Sequence, residues 1–409
     1  MIKNGKVIIN ILNVDLGGEF MILRDSIINK GEFDVLVVGG GIAGVSAALA
    51  SRRKGKSVCL FEKSVTLGGL ATLGLVNWYE PLCDGNGKKI MGGLTEELIR
   101  LSIKDSFNTL DDKWLKEEKM TKDDKRFSTF FSPTLFTIKL NELLIKEGVV
   151  IRYDSLMTYP VMDENRVEGI IVETVSGSEY YKGKVVIDAS GNATVFSRAG
   201  SICKTGENYL GYLSYIADFN DEIKEKIQLR KWVYSGSNMF GNGHPEGQNL
   251  LVGDTSDDVN LMIIKGQLLL SDRIKKTSNS EIVNLPGMPQ FRMIKHIVGE
   301  YELTEEDMYK EFDDSIGIIG NFMERNEWLE IPFRTLYNKN YPNLLSCGRI
   351  ISAEGKAWNM TRVIPCCVLT GEACGIAASM MIDNNIEVQD INVKELQEKL
   401  ISVGNIIHP

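Results

Sequence analysis

The sequence predicts an α/β protein whose centre is a parallel sheet with helices on its faces, and three observations carry this prediction. An apolar strand over residues 33–38, a Gly-rich turn and a small-residue helix over residues 45–54 are followed by a second strand over residues 56–61. Such a strand–helix–strand unit of about 30 residues pairs its two strands in parallel. Apolar strand patterns return at residues 184–188 and 343–346. The sheet is therefore expected to continue with strands from distant parts of the chain.

The other elements follow in chain order. Residues 1–30 are expected to form an arm, because two β-favouring runs at 7–14 and 20–23 are joined by turn residues and predict a hairpin. A start at Met21, with disordered residues before it, is the alternative. Further predicted elements are a helix over 133–146 capped by Gly148, a strand over 149–153, paired strands over 167–174 and 178–181, and helices over 259–275, 304–312, 368–382 and 393–400.

Polar stretches interrupt the apolar runs between residues 206 and 334. We interpret this region as an α+β substrate or cap domain, inserted into a discontinuous domain of residues 31–205 and 335–409. The arm of residues 1–30 would precede both.

Composition excludes several classes of function. The net charge of -9 provides no basic surface for nucleic acid. The longest apolar stretch, residues 35–50, is shorter than the roughly 20 residues of a membrane span. No signal-peptide pattern follows the first residues. Seven Cys without metal-ligand spacing favour reduced thiols, a cytoplasmic location and no metal site.

The turn after the first strand has the spacing G-x-G-x-x-G, with Gly39, Gly41 and Gly44 in the Gly positions. The strand before it and the helix after it make the motif specific for a dinucleotide. Gly39 permits the turn, Gly41 lets a pyrophosphate approach the backbone and Gly44 lets helix and strand pack closely. The helix N-terminus adds free N–H groups and a positive dipole end. A turn without a ligand is disfavoured by this context.

Glu62 ends the second strand, 18 residues after Gly44. Its carboxylate would accept both hydroxyls of a ribose and repel a 2′-phosphate. The motif therefore predicts NAD or FAD rather than NADP.

Three further Gly-containing segments decide between these cofactors. They lie at residues 63–72, 186–193 and 343–349, and are followed by residues 361–365 and 370–378. Together they resemble the bacterial FAD-dependent oxidoreductase family with a glutathione-reductase-type FAD domain. The heterodisulfide reductase flavoprotein subunit and fumarate-reductase-like enzymes are more distantly similar.

This resemblance implies a Rossmann-like FAD domain with a parallel sheet and a β-meander, and FAD as the cofactor. It implies that Gly39, Gly41 and Gly44 hold the pyrophosphate and that Glu62 holds the adenosine ribose. The other FAD-binding residues that it implies are Ala43, Lys63, Gly68, Gly69, Ala71, Ala189, Gly191, Gly348, Arg362 and Gly371. Many relatives have Gly-Asp where this chain has Gly348-Arg349, so the contact that this Asp usually makes with the ribityl chain is not expected here.

The expected reaction is hydride transfer between flavin N5 and a small-molecule organic substrate. No pair of Cys has the spacing of a redox-active disulfide, and no second dinucleotide turn is found in the sequence. Reducing equivalents would come from the substrate, from a transiently bound nicotinamide or from a redox partner protein. The alternative function is an electron-relay flavoprotein subunit that passes electrons to a partner.

Two residues are the catalytic candidates. Tyr79 follows the flavin-proximal Gly pair within about ten residues and is expected to act as acid or base, with Trp78 as a stacking wall. Arg362 is expected to stabilise reduced flavin or to bind a substrate carboxylate. For Cys83 a small buried hydrophobe is favoured over a nucleophile, and His244 is the one His whose loop resembles a site.

Overall fold

Five parallel strands lie at the centre of the protein, in a computed structural model that describes residues 2–3, 6–7, 27–116, 118–124, 126–218, 229–277 and 279–409. The described strands are β1 (Ile2–Lys3), β2 (Lys6–Val7), β3 (Ile27–Val38), β4 (Val58–Phe61), β5 (Trp78–Tyr79), β6 (Thr129–Phe130), β7 (Val150–Arg152), β8 (Leu156–Asp163), β9 (Arg166–Thr174), β10 (Gly177–Asp188), β11 (Cys203–Thr205), β12 (Gly211–Asp218), β13 (Leu229–Gly236), β14 (Ser280–Asn284), β15 (Lys295–Ile297), β16 (Ser315–Gly320), β17 (Trp328–Pro332) and β18 (Leu344–Ser346). The described α-helices are α1 (Ile42–Arg53), α2 (Leu94–Ile103), α3 (Asp112–Leu115), α4 (Pro133–Glu147), α5 (Thr194–Arg198), α6 (Ser256–Lys275), α7 (Gly355–Thr361), α8 (Ile364–Asn384) and α9 (Val393–Ser402).

The parallel strands pair in the order β7, β4, β3, β10, β18. Their register aligns Phe61, Val38, Asp188 and Ser346 at one edge of the sheet. Because these residues end their strands, the loops that follow all leave from the same edge. Ligands of open α/β sheets bind at such an edge, next to the carboxyl ends of the strands.

Strand β10 joins the parallel and the antiparallel part of one sheet. Its residues 177–182 pair antiparallel with β9, which pairs antiparallel with β8. Its residues 179–188 pair in parallel with β3, and residues 186–188 also pair in parallel with β18. The antiparallel part is the β-meander, and it contains the paired strands predicted over residues 167–174 and 178–181. The Rossmann-like fold class is confirmed.

Helices α1 and α8 cover one face of the sheet and touch along their backbones. Gly371 and Gly375 of α8 lie so close to α1 that an added Cβ would stand 2.2 Å from the Ala43 carbonyl oxygen and 2.5 Å from that of Ala47. Small residues permit this approach, and α1 contributes Ala and Ser to the contact. The packing fixes α1, and with it the Gly turn at its start.

A separate three-stranded sheet, β13-β12-β14, packs with α6 beside the parallel sheet. We call residues 206–294 the cap, because their small hydrophobic clusters are distinct from the main core. The hairpin β16–β17 falls within the predicted inserted domain of residues 206–334, but its buried side chains belong to the main core. The boundaries predicted from the sequence stay predictions, and the structure places the later part of that range with the parallel sheet.

The structure does not confirm two of the elements that were predicted from the sequence. The hairpin predicted over residues 7–23 lies almost entirely outside the described residues. The helix predicted over residues 304–312 is a single 3-10 turn, Glu305–Asp307, in which Thr304 and Asp307 cap each other. Tyr309 then takes a left-handed conformation, with φ 64°, so the helix is not continued.

Helix α8 is the one helix in the described ranges that is long and apolar enough to cross a membrane by length and composition. Of its apolar window, 94% is buried inside the fold. These contacts are those of a core helix, which passes the same test of length and composition.

Candidate functional site

A cavity of about 430 Å³ opens where the parallel strands end. The residues that directly follow β3, β4, β10 and β18 all line it, and the cap closes the other side. The lining from the sheet side includes Gly39, Glu62, Ala189 and Cys347, and that from the cap includes Gly253, Met288, Pro289 and Phe291. The cavity therefore lies at the position where the fold binds ligands.

The Gly turn forms the floor of the cavity at the start of α1. Gly39 has φ 111°, and an added Cβ would stand 2.4 Å from the Ala189 carbonyl oxygen, so only Gly fits between the two strands. Gly41 has open space where its Cβ would be. It is the N-cap of α1, with no side-chain cap and no acidic residue in the first turn. The first N–H groups of the helix are thus available to an anion.

Glu62 lies opposite this turn and is 8% exposed. Its two carboxylate oxygens accept hydrogen bonds from the backbone N–H of Gly40 at 2.7 Å and of Ser64 at 2.8 Å. These bonds fix the carboxylate at the cavity wall, where its remaining lone pairs are directed to a ligand. Lys63 lines the cavity beside it.

The turn after β10 is held by a buried carboxylate. Asp188 accepts hydrogen bonds from the N–H groups of Ser190 at 3.0 Å and Val195 at 2.8 Å. Its pKa is raised by burial, against these hydrogen bonds. The bonds place Ala189 and Gly191 in the cavity wall.

Most of the predicted cofactor residues come together here. Those that line the cavity are Gly39, Gly41, Ala43, Glu62, Lys63, Gly68, Gly69, Ala71, Ala189, Gly191, Gly348 and Arg362. Two others lie behind the lining: Gly44 packs against the Gly39 carbonyl oxygen, and Gly371 packs against α1. Their role in the structure is close packing, which positions the residues that face the ligand.

Arg349, which stands where many relatives have Asp, crosses the cavity to the cap. Its guanidinium lies over Gly191 and donates a hydrogen bond to the Phe291 carbonyl oxygen. Burial lowers the pKa of Arg349 to about 10, although the nearby Cys367 thiol acts in the opposite sense. A cation therefore replaces the anion that the resemblance leads one to expect.

Three arginine side chains lie close together near the N-terminus of α8. Arg362 and Arg349 line the cavity, and the charge of Arg292 in the cap acts on both of them. The Nη1 atom of Arg292 is buried and has no hydrogen-bond partner among the described residues. Burial, followed by the charge of Arg292, lowers the pKa of Arg362 to about 10. We call these three side chains the arginine cluster.

Glu80 is the carboxylate that faces this cluster. It is 8% exposed, and its Oε2 accepts a hydrogen bond from the Ile364 N–H at the first turn of α8, at 3.0 Å. Burial raises its pKa to about 7, against the hydrogen bond and the charges of Arg362 and Arg292. One carboxylate thus stands against three guanidinium groups, and buried charges are usually paired. The cluster has an excess of positive charge that suits an anionic ligand.

The structure does not bring Tyr79 to the cavity. Its side chain is fully buried in the main core, and its hydroxyl donates to the Thr95 carbonyl oxygen at 2.9 Å. Side chains alternate along an extended chain, so Trp78 and Glu80 point to the opposite side from Tyr79. Glu80, which the sequence reasoning passed over, is the member of this segment that reaches the arginines.

The other candidates are held by local contacts. Cys83 is a buried core residue, as favoured from the sequence. His244 accepts from the Leu210 N–H at 3.1 Å and contacts the Gln248 carbonyl oxygen at 2.8 Å, so both ring nitrogens serve the loop. Cys367 was not a candidate, yet it lines the cavity, and burial raises its pKa to about 12.

The sequence reasoning missed Glu80, Arg292, Arg349 and Cys367 as members of one cluster. Arg292 belongs to the cap and Glu80 to a loop, and no motif connects them to the Gly segments. A signal was present for Arg349 and Cys367, which adjoin the Gly348 and Arg362 segments.

The cavity fits FAD on the side of the Gly turn. The open Cβ position of Gly41, the uncapped N–H groups of α1 and the carboxylate of Glu62 provide the contacts that a pyrophosphate and a ribose need. Gly68, which has φ 98° and donates its N–H to the Gly40 carbonyl oxygen at 2.8 Å, holds the next loop against this turn.

Comparisons with known proteins support this assignment. A family model described as FAD dependent oxidoreductase matches residues 34–215 and 254–400. The NADH:acrylate oxidoreductase of Vibrio harveyi is 38% identical over 91 residues, which are 22% of this chain and 9% of that protein. The bilirubin reductase of Mediterraneibacter gnavus is 39% identical over 102 residues, or 25% of this chain and 15% of that protein.

Another similar protein is the tRNA uridine 5-carboxymethylaminomethyl modification enzyme MnmG of Alkaliphilus metalliredigens, 26% identical over 235 residues, which are 53% of this chain and 32% of that enzyme. The chain thus spans about a third or less of the length of these curated relatives. Among solved structures, p-nitrophenol 4-monooxygenase PnpA from Pseudomonas putida aligns with a TM-score of 0.50 at 12% identity, over 91% of this chain and 84% of that one. This likeness concerns the fold alone.

Proposed function

The chain belongs to the FAD-dependent oxidoreductase family, and from this premise we propose that it is an enzyme that oxidises or reduces a small organic carboxylate. When bound, FAD supplies hydride transfer at its N5 atom. The observation that carries the proposal is the buried Nη1 of Arg292, which has no partner among the described residues and whose charge acts on Arg362 in the cavity lining. A carboxylate there would complete the hydrogen bonds of the cluster.

The cofactor is FAD, and we assign its contacts to the residues of this chain that line the cavity. The Gly turn and the first N–H groups of α1 hold the pyrophosphate, and Glu62 holds the adenosine ribose. Gly68, Gly69 and Ala71 lie along the same wall. Arg349 extends from the far wall over Gly191, and we assign it to the negatively charged middle of the cofactor.

The substrate end of the site is assigned to Arg362 and Arg292. Two guanidinium groups bind a carboxylate by charge-assisted hydrogen bonds, and their planar donors fix its orientation. The cap and the start of α8 enclose them, which keeps water away from the bound anion. The name of the Vibrio harveyi relative states an acrylate, itself a small carboxylate, and this agrees with the proposal.

The source of reducing equivalents stays a prediction: the substrate itself, a transiently bound nicotinamide or a redox partner protein. The cytoplasmic location also stays a prediction. The assignment of the arginine cluster depends neither on the source of reducing equivalents nor on the location in the cell.

Arg292→Ala and Arg362→Ala test the proposal. We expect both variants to retain FAD, as measured by absorbance per protein, and to lose at least tenfold in turnover of a carboxylate found by screening with photoreduced protein. Arg166→Ala is the control, because Arg166 is an exposed residue that pairs with Glu387. Unchanged turnover in both cluster variants would contradict the assignment. Flavin that reoxidises with a partner protein, and with none of the carboxylates, would instead support the electron-relay function.

A further inference from the structure

A row of aromatic side chains leads from the arginine cluster to the surface. The Phe322 ring centroid lies 6.0 Å from Arg362 Cζ and 6.2 Å from the Trp78 ring. Trp78 in turn lies 6.5 Å from Phe130, which is 50% exposed. These three rings belong to the part of the chain that forms the main core and its loops.

The cap supplies the facing side of the row. Trp232 lies 6.1 Å from Phe130, and Tyr234 lies 5.6 Å from Trp232. The side chain of Tyr234 is also within electrostatic range of Arg362. The aromatic residues therefore form a row that begins at Arg362 and crosses the boundary between sheet and cap at Phe130 and Trp232. We call this row, from Phe322 to Tyr234, the aromatic corridor.

The outer end of the corridor opens into a second cavity, of about 470 Å³. Phe130 and Trp232 line it together with Phe107, which is fully exposed, and with Leu75. Leu75 follows Leu73, which lines the cofactor cavity, by only two residues, so the two cavities share one loop as their wall. No Lys, Arg, Asp or Glu side chain belongs to the lining of this second cavity.

One hydrogen bond holds a ring of the corridor in place, and a second holds the cap beside it. Trp232 Nε1 donates to the Leu75 carbonyl oxygen at 3.1 Å, and the Tyr215 hydroxyl donates to Asn77 Oδ1 at 2.6 Å. Both bonds connect the cap to the loop between the cavities. The rings are thus oriented before any ligand binds, which reduces the entropy lost on binding.

We propose that the aromatic corridor binds the flat, apolar body of the same molecule whose carboxylate is held by the arginine cluster. The substrate class is thereby narrowed to carboxylates with an aromatic or similarly planar body. The positive charge of the arginine cluster lies at one end of the corridor, and aromatic rings lie along its length. Aromatic rings bind flat apolar groups by stacking and edge contacts. This inference rests on the proposed function, because it places the carboxylate at Arg362 and Arg292.

The test compares three probes on the FAD-loaded protein: biphenyl-4-carboxylate, propanoate and the neutral biphenyl-4-carboxamide. Binding is followed by calorimetry and by the change in the flavin absorbance spectrum. We expect the aromatic acid to bind at least tenfold more tightly than propanoate and than the amide. Phe130→Ala should remove most of the first difference and leave the affinity for propanoate unchanged.

Phe240→Ala is the matched control, since Phe240 is 57% exposed and does not line the second cavity. Equal effects of the two substitutions, or equal affinity for propanoate and the aromatic acid in the native protein, would overturn the corridor while leaving the arginine site intact. Binding of the amide as tightly as the acid would show that the rings act without the arginines, and would overturn the proposal of one molecule spanning both. Binding of neither acid would overturn the proposed function as well.

Discussion

Gly41 is the residue at which folding and cofactor binding separate. Its φ of -64° and ψ of 173° suit any L-residue, and a Cβ there meets no atom within 4 Å. A side chain would instead occupy the space that we assign to the pyrophosphate. We expect Gly41→Val to fold with an unchanged melting temperature and to lose FAD affinity by at least tenfold. Flavin content after purification and a titration with FAD measure this, and full flavin content in the variant would contradict the assignment.

Glu80 gives the site a dependence on pH. Its carboxyl lies within electrostatic range of Arg362, Arg292, the Cys367 thiol and the adjacent Tyr79, and burial raises its pKa to about 7. Above that pH the ionised carboxylate neutralises part of the positive charge that a substrate anion requires. We expect the affinity for a carboxylate probe to fall several-fold as the pH rises through about 7. Glu80→Gln should make the affinity independent of pH over this range, which a series of binding titrations checks.

Glu372 is the matched control for this prediction. It is equally buried, its pKa is also raised to about 7 by burial, and it binds Leu94 and Asn405 rather than the arginines. Between pH 4.5 and 7, either glutamate keeps its proton in the folded state. It releases this proton in the unfolded state, where its pKa has the ordinary value of 4.5. The free energy of unfolding therefore falls between pH 4.5 and 7, by about 3 kcal/mol for each residue. Both Gln variants should flatten this profile, whereas a changed anion affinity in Glu372→Gln would point to a global effect.

The Gly positions of the site follow from the sequence, because local geometry demands Gly there. Gly39 has a positive φ between two strands, and Gly41 leaves open space where a Cβ would be. One short sequence motif contains both positions. The arginine cluster has no such motif. Arg292 and Glu80 come together only when the cap folds over the loop after β5. Because they are more than 200 residues apart, no sequence motif can connect them.

At the scale of elements, the contact between α1 and α8 controls the position of the Gly turn. A Cβ on Gly375 would lie 2.5 Å from the Ala47 carbonyl oxygen and 2.7 Å from Ala50 Cβ. We expect Gly375→Ala to lower the free energy of unfolding by about 1–3 kcal/mol, as overpacked cores do. Denaturant unfolding measures this. Gly41→Ala, which has open space, is the control, and equal stability of the two variants would contradict a tight helix contact.

Elements with a strong local pattern could be predicted, and those set by tertiary contacts could not. The helix α4 begins at Pro133 and ends before a left-handed Gly148, as its capping residues indicate. The acidic turn at residues 305–307 has an equally good cap, yet it stops after one turn, and Tyr309 takes a left-handed conformation two residues later. Gly371, which the resemblance assigns to FAD, packs with Gly375 against another helix, and the apolar pattern alone does not reveal this contact.

In the whole molecule, the candidate ligand site lies where the cap meets the parallel sheet, and hydrogen bonds between described residues join the two. Among them, Gln290 Nε2 donates to the Gly74 carbonyl oxygen at 2.6 Å, and the Tyr215 hydroxyl donates to Asn77 Oδ1 at 2.6 Å. Both cavities are lined from each side of this boundary. The cap must therefore be closed for the arginine cluster and the aromatic corridor to be complete.

Tyr215→Phe tests how far this closure depends on single bonds. The variant keeps the ring and removes one buried hydrogen bond, whose net contribution is about 1 kcal/mol. We expect the amides of β12 and β13 to exchange with solvent about fivefold faster, while those of β3 and β4 are unaffected. Loading with FAD should slow exchange on both sides, because the cofactor cavity is lined by residues of the sheet and of the cap. Tyr159→Phe, at a residue 66% exposed on β8, is the control. Uniform acceleration over the whole chain would mean that cap and sheet open as one unit, and that the closed cap is a property of the fold rather than of these contacts.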